Sequence, residues 1–409
     1  MRKPRLLLVA CIGALALVPV IAQGPPDQAQ NPTDHAQNQD DQRFKRHGAK
    51  RVENHYIVVL DEDATGPDAD YGRASARAQE VLARTPAGRL THVYAFALVG
   101  FAAEMTEEEA LALSQDPDVR LVEEDSVVEL DATQTNAPWG LDRTDQRDRP
   151  LNGTYGYTTT GSGVNAYIID TGIRRTHTQF GGRAFAGFDA LGGSTNDCHG
   201  HGTHVAGTVG GSTYGIAKSV RLYAVRVLNC SGSGSNSGVI AGVDWVTGNH
   251  VKPAVANMSL GGGASTSLDT AVRNSIAAGV TYAIAAGNSN VNASSSSPAR
   301  VSEAITVGST TSTDAKSSFS NYGSIVDIFA PGSSITSAWS TGDTAIRTIS
   351  GTSMATPHVA GVAARYLQNN RTASPATVRN AIVNAASTGK ITGLPTGTSN
   401  RLLFWSSTQ

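Results

Sequence analysis

The sequence has few charges and few aromatic rings for a chain of 409 residues. Charged residues make up 16% of the chain and aromatic residues 6%, and the formal net charge at pH 7 is −2. This balance excludes the basic excess that is typical of nucleic-acid-binding proteins. After the first 22 residues no apolar run is long enough to cross a bilayer, so we expect no stable membrane association.

Glutamate is nearly absent from the second part of the chain, where Glu303 is the only one after residue 131. Residues 1–131 carry 13 Lys+Arg and 22 Asp+Glu, a balance of −9. Residues 132–409 carry 19 Lys+Arg and 12 Asp+Glu, a balance of +7. Such asymmetry predicts two parts with different roles.

Residues 1–22 have the three parts of a secretory signal peptide. Basic residues within positions 2–5 precede an apolar run from Leu6 to Ile21, and Ala22 is a small residue suited to the cleavage site. We therefore expect a secreted, extracellular product. The alternative is a lipoprotein box at Leu8–Cys11, although the apolar run continues well beyond that cysteine.

Only three cysteines occur, and the first, at position 11, would leave with the signal peptide. Cys198 and Cys230 remain, an even number in an oxidising compartment. These two residues are expected to form one disulfide. The alternative is a pair of separate buried thiols.

The composition predicts three further segments after the signal peptide. Residues 23–53 are rich in Gln, Asn, Asp and Pro and are expected to be a disordered linker. Residues 54–131 alternate strand and helix patterns, in the order strand–helix–strand–strand–helix–strand, which predicts a small α+β ferredoxin-like domain. Residues 132–409 form the third segment, in which apolar strand-length runs alternate with helical stretches. Such alternation predicts an α/β fold with a mostly parallel sheet between helices.

The expected strands of the N-terminal domain are His55–Leu60, His92–Ala103, Val119–Glu123 and Val127–Leu130, and the expected helices are Tyr71–Ala83 and Thr106–Leu113. The expected strands of the third segment are Asn165–Ile169, Arg221–Leu228, Ala254–Met258, Thr281–Ala285 and Ala304–Val307. Its expected helices are His201–Val209, Ser237–Gly248, Leu268–Ala278 and Thr352–Asn369.

The first chemical motif is Asp170-Thr171-Gly172 at the end of an apolar strand. Open parallel sheets bind their ligands at the carboxyl ends of the strands, so this carboxylate is a candidate for chemistry. The same tripeptide also occurs in aspartic proteases, but those enzymes need two carboxylates that share a proton. No second Asp-Thr-Gly or Asp-Ser-Gly occurs here.

The second motif places three histidines within six residues, at His199, His201 and His204. Such a cluster could be a zinc site, although no carboxylate continues the pattern. A helix beginning near His201 would place His201 and His204 on one side. A structural histidine pair is the plainer interpretation of these residues taken alone.

The third motif is Ser350–Gly361, which contains Ser353 at the predicted start of a helix. Pro357 is tolerated in the first turn, and small residues follow, so the helix can pack closely on a sheet. A helix N-terminus stabilises negative charge that develops beside it, which suits a nucleophile whose substrate becomes an oxyanion. A simple N-cap serine is the alternative.

Taken together, the order Asp170, His201, Ser353 resembles the subtilisin-like serine proteases, most closely the proteinase K and aqualysin branch. Further matches are Thr135–Arg143, Cys230–Trp245, Ser259–Gly262, Ala285–Asn288 and Phe319–Gly323, and residues 54–131 resemble the inhibitory propeptide of that family. The resemblance implies a subtilisin-like three-layer fold. It also implies a serine endopeptidase that hydrolyses peptide bonds of proteins through an acyl-enzyme intermediate.

The resemblance assigns a role to each of these residues. Ser353 would be the nucleophile, His201 the general base and Asp170 the residue that orients the imidazole. Asn288 would form the oxyanion hole together with the backbone N–H of Ser353. His204 is expected to be structural.

Two segments resemble the edges that hold an extended substrate, and a third resembles the pocket for the residue before the scissile bond. The two edges are Gly232, Ser233, Gly234 and Ser259, Leu260, Gly261, and the pocket is Ala285, Ala286, Gly287. The small pocket residues leave room for an apolar or aromatic side chain. Ser296 stands where some relatives carry a tyrosine, which leaves the preference of the pocket open.

Structural Ca²⁺ is the cofactor that the resemblance implies, at one or two sites. One site would use Asp327 with the backbone carbonyls of Ser302 and Ala304. Asp142, Asp145 and Gln146 resemble a second site. A solvated loop that pairs with nearby arginines is the alternative for the aspartates of the second site.

We therefore expect a monomeric, self-processing zymogen that is cleaved near Asp131–Ala132, with its own propeptide as an intramolecular inhibitor. Its other partners would be protein and peptide substrates. The alternatives are a non-catalytic binder that keeps the fold and a zinc hydrolase built on the histidine cluster.

Overall fold

The computed structural model describes residues 43–47, 51–61, 70–126 and 132–407. The chain divides into two compact units between residues 127 and 128. The expected signal peptide, and the expected strand over Val127–Leu130, lie outside the described residues. No helix in the described ranges has the length and apolar character needed to cross a membrane.

The described residues of the N-terminal unit include a five-stranded sheet in the spatial order β1-β5-β2-β4-β3 and two helices that are described over their full length. Its elements are β1 (Phe44–Lys45), β2 (Arg51–Leu60), α1 (Tyr71–Leu82), β3 (Arg89–Tyr94), β4 (Gly100–Glu104), α2 (Glu107–Ser114) and β5 (Val119–Ser126). From β2 onward the order is strand–helix–strand–strand–helix–strand, so the predicted α+β topology is confirmed.

Local sequence explains how α2 starts and why β3 and β4 are separate. The Thr106 hydroxyl accepts a hydrogen bond from the Glu109 N–H, and the Glu109 carboxylate accepts one from the Thr106 N–H, which completes the predicted capping box. The single strand expected over His92–Ala103 was wrong. The chain turns after Tyr94 and returns antiparallel as β4, so that Val93 pairs with Phe101.

The expected linker over 23–53 includes residues that belong to the sheet. β1 pairs in parallel with β5, and the buried ring of Phe44 packs against Tyr56, so β1 is held by both hydrogen bonds and apolar contact. β2 also begins at Arg51, inside the expected linker. The buried apolar side chain of Phe44, near the end of this polar segment, explains why part of it joins the fold.

The C-terminal unit contains a nine-stranded sheet in the order β19-β20-β16-β15-β13-β11-β8-β10-β9. Its strands are β6 (Ala132–Thr135), β7 (Thr154–Tyr157), β8 (Asn165–Asp170), β9 (Ala184–Asp189), β10 (Arg221–Arg226), β11 (Ala254–Met258), β12 (Gly262–Gly263), β13 (Thr281–Ala285), β14 (Ser296–Ser297), β15 (Ile305–Thr310), β16 (Ile328–Pro331), β17 (Ile335–Ala338), β18 (Ile346–Ile349), β19 (Ser387–Thr388) and β20 (Arg401–Leu402). Its helices are α3 (Trp139–Thr144), α4 (His201–Gly210), α5 (Asn236–Asn249), α6 (Thr266–Ala277), α7 (Thr352–Asn369) and α8 (Pro375–Ala385).

Helices cover both faces of this sheet, so the expected three-layer α/β architecture is confirmed. One apolar core joins the sheet to α4, α7 and α8, and a second core on the other face joins it to α5 and α6. Every residue of β8 is buried, and β8 pairs in parallel with both β10 and β11. The carboxyl end of β8 therefore lies between two neighbouring strands, where doubly covered sheets place their ligands.

Small residues let α7 cross close to the sheet and to α4. Gly361 lies so near Ile216 that an added Cβ would lie 2.5 Å from the Ile216 Cβ. α7 contacts β11, β13, β15 and α4 along its length. This central helix thereby carries Ser353, in its first turn, to the same end of the sheet as Asp170.

Candidate active site

Asp170 and His201 are hydrogen bonded at the carboxyl end of β8. The Nδ1 atom of His201 lies 2.8 Å from Oδ1 of Asp170, and the aspartate is fully buried. Burial by itself would lower the pKa of His201, but the charge of Asp170 and its hydrogen bond, together with the charge of Asp197, raise it above the ordinary histidine value. The Asp170 carboxylate therefore favours the protonated imidazole.

Asp197 fixes the start of the helix that carries His201, and the sequence analysis did not identify it. Its Oδ1 atom accepts hydrogen bonds from the Thr171 hydroxyl and from the N–H groups of His199 and Gly200. Its Oδ2 atom accepts hydrogen bonds from the N–H and the hydroxyl of Thr203. A carboxylate that takes up backbone donors at a helix N-terminus is a strong cap, and an acidic residue just before the His201 motif was the available signal.

Ser353 lies in the first turn of α7 and is hydrogen bonded to Ser259. The Ser353 hydroxyl donates to the carbonyl oxygen of Ser259 at 3.1 Å, and the Ser259 hydroxyl donates to the carbonyl oxygen of Ser353 at 2.8 Å. In the described part of the chain no hydrogen bond joins this hydroxyl to His201. Catalytic hydrogen bonds are often absent or long without substrate, so the arrangement is compatible with a nucleophile.

Asn288 faces the N-terminus of α7 through its side-chain carbonyl. Its Oδ1 atom accepts hydrogen bonds from the N–H and the hydroxyl of Thr352, at 2.8 and 2.9 Å. Two donors on one atom identify that atom as oxygen, so the opposite amide position carries the Nδ2 donors. The Nδ2 atom lies on the side of Gly351, where an added Cβ would be 3.5 Å away.

Two adjoining cavities, of about 400 and 350 Å³, open beside these residues and share Leu260–Gly262. The first is lined by residues that include Thr171, His199, His201, Leu228, Gly232, Ser233, Gly234, Val239, Ser259 and Leu268. The second is lined by residues that include Ala285, Ala286, Gly287, Asn288, Ser296, Asn321, Thr352 and Ser353. The structure thus brings all three predicted substrate segments into one cleft next to the Asp170–His201 pair.

The backbone of the second cavity requires glycine at one position and an asparagine behind it. Gly287 has a φ of +104°, and a Cβ there would lie 2.4 Å from the Nδ2 atom of Asn321. Asn321 donates to the carbonyl of Ala286 at 2.8 Å and accepts hydrogen bonds from the N–H groups of Ser289 and Val291. Asn321 therefore holds the loop that carries Asn288, a supporting role that sequence reasoning did not assign.

The expected disulfide joins Cys198 and Cys230. Arg226 donates toward both sulfur atoms, at 3.6 and 3.9 Å. Cys198 lies three residues before His201, and Cys230 lies two residues before Gly232. The crosslink therefore ties the loop before α4 to one wall of the cleft.

His204 is engaged away from the cleft, as expected for a structural residue. Its Nε2 atom lies 3.0 Å from the carbonyl oxygen of Ile335 and 3.1 Å from that of Arg347. Burial lowers its pKa to about 4, so the ring is neutral. Among the described residues no three His, Cys, Asp or Glu side chains converge as metal ligands. His201 is hydrogen bonded to Asp170 and His204 to backbone carbonyls, so the two rings belong to different networks.

The Asp142–Gln146 segment contains unpaired oxygen atoms that suit a hard cation. Oδ1 of Asp145 and Oε1 of Gln146 are buried and accept no hydrogen bond among the described residues. Burial raises the pKa of Asp145 to about 6, and the nearby charge of Asp142 adds to this effect. Both oxygens of Asp142, by contrast, accept backbone N–H groups of Asn152 and Gly153. The donor set fits Ca²⁺, with Asp145 and Gln146 as the available side-chain ligands.

The other expected calcium site consists of Asp327 and the carbonyls of Ser302 and Ala304. The Asp327 carboxylate and the Ala304 carbonyl already accept hydrogen bonds. Oδ2 of Asp327 accepts the N–H of Thr306 at 2.8 Å, and Oδ1 accepts a hydrogen bond from Nη2 of Arg379. Nε of Arg379 also donates to the carbonyl oxygen of Ala304 at 3.2 Å. Ser302 is exposed, and its hydroxyl donates to Glu303. As arranged, this set does not fit a bound divalent ion, because a guanidinium lies between two of its donors.

An Asp–His pair at the carboxyl edge of a parallel sheet, beside a helix-terminal serine, is the arrangement of the serine hydrolases, the class that includes the serine endopeptidases. The subtilase family (Peptidase_S8) matches residues 161–402, and the peptidase inhibitor I9 family matches residues 55–131. The chain therefore belongs to the subtilase family and carries an I9 propeptide domain, which confirms the resemblance that its motifs predicted.

Relatives and a solved structure agree with this assignment. An extracellular serine proteinase of Thermus sp. (strain Rt41A) is 59% identical over 318 residues, which cover 77% of this chain and 78% of that protein. Alkaline serine exoprotease A of Vibrio alginolyticus is 51% identical over 363 residues, which cover 86% of this chain and 67% of that protein. A cold adapted subtilisin-like serine proteinase with a known crystal structure is 57% identical in sequence and matches this fold with a TM-score of 0.64. The match covers 66% of this chain and 98% of that proteinase chain.

Proposed function

We propose that the chain is a secreted, self-processing zymogen of a serine endopeptidase in which Asp170, His201 and Ser353 form the catalytic triad. The observation that carries the proposal is the 2.8 Å hydrogen bond between Asp170 and His201 beside the N-terminal turn that holds Ser353. The carboxylate holds the proton on Nδ1 of His201, so Nε2 is the free base.

The reaction proceeds in two halves. The Ser353 hydroxyl turns from Ser259 toward His201, and its oxygen attacks the peptide carbonyl while its proton passes to Nε2 of His201. Collapse of the tetrahedral intermediate breaks the C–N bond, and the departing amine takes that proton. Water then attacks the Ser353 ester, His201 again takes and returns a proton, and the carboxylic acid leaves.

Charge that develops on the carbonyl oxygen needs donors fixed in advance. Nδ2 of Asn288 and the backbone N–H of Ser353 are the donors that we assign to it. The hydrogen bonds from Thr352 support this assignment because they hold the Asn288 amide in one orientation. Removing one such donor from a subtilisin costs about 3–4 kcal/mol of transition-state stabilisation, which sets the scale expected here.

An extended peptide is the substrate that the cleft fits. Gly232–Gly234 and Ser259–Gly261 both line the first cavity, and their glycines and serines leave backbone groups open to pair with a peptide strand. The side chain before the scissile bond would enter the second cavity, whose walls include Ala285, Ala286 and Gly287. These walls favour an apolar or aromatic group.

The I9 domain acts, in this proposal, as the intramolecular inhibitor and is removed by cleavage near Asp131–Ala132. The opposite charge balances of the two parts favour their association before cleavage. The extracellular relative from Thermus and the signal-peptide pattern of residues 1–22 support secretion. A Ca²⁺ ion held by Asp145 and Gln146 would stabilise the loop after α3 and take no part in catalysis.

A serine-directed fluorophosphonate probe tests the proposal with a matched control. Wild type and Ser350→Ala are expected to be labelled, because the Ser350 hydroxyl only accepts the N–H of Ser334. Ser353→Ala is expected to remain unlabelled and to accumulate as the uncleaved precursor. Labelling of none of the proteins would favour a non-catalytic binder. Hydrolysis without labelling that is abolished by a chelator would favour a zinc hydrolase.

A further inference from the structure

The buried carboxylate of Asp327 lies just before β16, on the side of the sheet where α8 packs. Asp327 is only 8% exposed, and its Oδ2 atom accepts the backbone N–H of Thr306 in β15. Its other oxygen faces the guanidinium of Arg379, which reaches in from α8. A carboxylate this well buried requires a positive partner, because an unpaired charge in such a place is costly.

Arg379 makes two contacts with this cluster rather than one. Its Nη2 atom donates to Oδ1 of Asp327, and its Nε atom donates to the carbonyl oxygen of Ala304 at 3.2 Å. The guanidinium therefore bridges the carboxylate and the carbonyl that the family resemblance assigns to calcium. Its planar fork carries donors at fixed angles and stays charged at every pH at which proteins are folded.

We propose that Arg379 is the built-in cation of this site and takes the place of a divalent metal ion. Ca²⁺ needs six to eight oxygen ligands at about 2.3–2.6 Å. The Asp327 and Ala304 oxygens cannot close around such an ion while a guanidinium lies between them, and the two cations would repel each other. The side chain of Arg379 supplies the positive charge that Asp327 needs. The stability of this site therefore does not depend on the metal concentration.

The Arg379 bridge supports the substrate cleft through the loop before β15. The Thr306 hydroxyl, next to the N–H that Asp327 holds, donates to the carbonyl oxygen of Ala299 at 2.7 Å. Ala299 lines the second cavity. Arg379 thus connects α8 to β15, β16 and the back of that cavity, so the wall of the cleft is held without metal.

Thermal unfolding in EDTA and in 10 mM CaCl₂ tests the proposal. Every protein is the full chain with Ser353→Ala, which prevents self-digestion, and neither unfolding nor calcium binding depends on the catalytic assignment. We expect Arg379→Ser to lower Tm in EDTA by about 3–6 °C, because the buried carboxylate loses its partner. Calcium should then restore part of this loss, and equilibrium dialysis should show one more bound calcium than in the parent chain.

Two controls separate the role of Arg379 from a general loss of charge. Arg273→Ser removes an arginine whose Nε atom lies 3.3 Å from Oε2 of Glu303, next to Ala304. Both side chains of this pair are exposed to solvent, unlike Asp327. The Tm and calcium count of this variant should match those of the parent chain. Asp327→Asn should leave the calcium count unchanged while Arg379 is present. Arg379→Lys keeps the charge but loses the fork, and it serves as the second variant if the serine variant does not fold, with a smaller loss of Tm and no added calcium.

Three results would overturn the proposal. The first is an Arg379→Ser chain whose Tm in EDTA equals that of the parent. The second is a loss of that chain's stability that calcium does not relieve, which would make Arg379 an ordinary ion-pair partner. The third is the loss of one bound calcium on Asp327→Asn, which would mean that the metal occupies the site in spite of Arg379.

Discussion

Asn288 accepts two hydrogen bonds from Thr352, one from its N–H at 2.8 Å and one from its hydroxyl at 2.9 Å. The Thr352 hydroxyl also accepts the N–H of Gly287 at 3.1 Å. One threonine at the start of α7 therefore holds both the loop and the amide that the proposed mechanism uses. Because Thr352 precedes Ser353, the proposed oxyanion donor is held by the residue next to the proposed nucleophile in the same helix.

Replacing Asn288 tests the oxyanion assignment. Asn288→Leu keeps a similar volume but removes the donor, so we expect turnover to fall by about two to three orders of magnitude with little change in KM. Steady-state kinetics on a peptide substrate and far-UV circular dichroism measure activity and folding together. A folded variant with normal turnover would remove Asn288 from the mechanism.

Thr352 is a positioning residue, and its contribution to kcat should depend on whether its hydroxyl is present. Thr352→Val removes the hydroxyl that donates to Asn288 and accepts the N–H of Gly287, but it keeps the backbone N–H bond to Asn288. We expect kcat to fall by about tenfold to a hundredfold while KM changes little. Thr352→Ser keeps the hydroxyl and should retain most of the activity. Equal losses in both variants would indicate a packing effect instead.

The acid limb of the pH–rate profile should reflect the pKa of His201. The pKa of His201 is raised, and only the neutral imidazole can accept the proton of Ser353, so kcat/KM should fall with decreasing pH from above the ordinary histidine value. Asp170→Asn removes the charge that raises this pKa. We expect the limb to move to lower pH and the plateau to drop by about four orders of magnitude. An unmoved limb would mean that another group titrates.

Two buried histidines should make the protein sensitive to acid. Burial lowers the pKa of His204 and of His358 to about 4, whereas both become ordinary histidines on unfolding. The unfolded chain therefore binds more protons, and the free energy of unfolding should decrease as the pH falls from about 6.5 to 4. Denaturant unfolding of the Ser353→Ala chain at several pH values measures this, and stability that stays constant to pH 4 would contradict it.

The disulfide should affect both stability and substrate affinity. Replacing Cys198 and Cys230 by serine opens a crosslink between residues 32 apart, and we expect a loss of about 3 kcal/mol in the free energy of unfolding. Because Gly232 follows so closely, KM should rise more than kcat falls. Calorimetry measures the stability and steady-state kinetics measure KM and kcat. A double variant identical to wild type would show that the crosslink affects neither stability nor substrate affinity.

Calcium should stabilise the protein through Asp145. EDTA is expected to lower the Tm of the wild-type chain, since an ion that binds only the folded state adds stability. Asp145→Asn removes the ligand charge, so its Tm should no longer depend on calcium. Asp148→Asn is the matched control, because that exposed carboxylate pairs with Lys390 instead. A wild-type Tm that EDTA does not change would reject the site.

The local motifs predicted the chemistry better than the supporting contacts. Asp170, His201 and Ser353 each lie in a short pattern whose residue types are needed for the reaction. Asp197 and Thr352 act through hydrogen bonds that any acidic or hydroxyl residue could make, so their roles depend on the fold. These roles became visible only in the distances to His199, Gly200, Asn288 and Gly287.

Long-range partners were the least predictable part of the sequence. Arg379 is 52 residues from Asp327, and nothing in its neighbourhood indicates that it reaches a buried carboxylate. The helix that carries it was not predicted either, although Ser374 and Pro375 form an N-cap and a first-turn proline. β9 was missed because five of its six residues are exposed or half-exposed and do not form the continuous apolar run seen in β8.

The hydrogen bond from the Ser353 hydroxyl to the carbonyl oxygen of Ser259 directs this hydroxyl away from His201 in the structure. Ser259 lies on the wall where a peptide strand would pair, so an N–H of the substrate competes for the same carbonyl oxygen. A main chain that docks on this wall thereby releases the hydroxyl toward His201. A small electrophile that does not touch the wall meets a hydroxyl still hydrogen bonded to Ser259, so it is expected to react more slowly than a molecule with a peptide backbone.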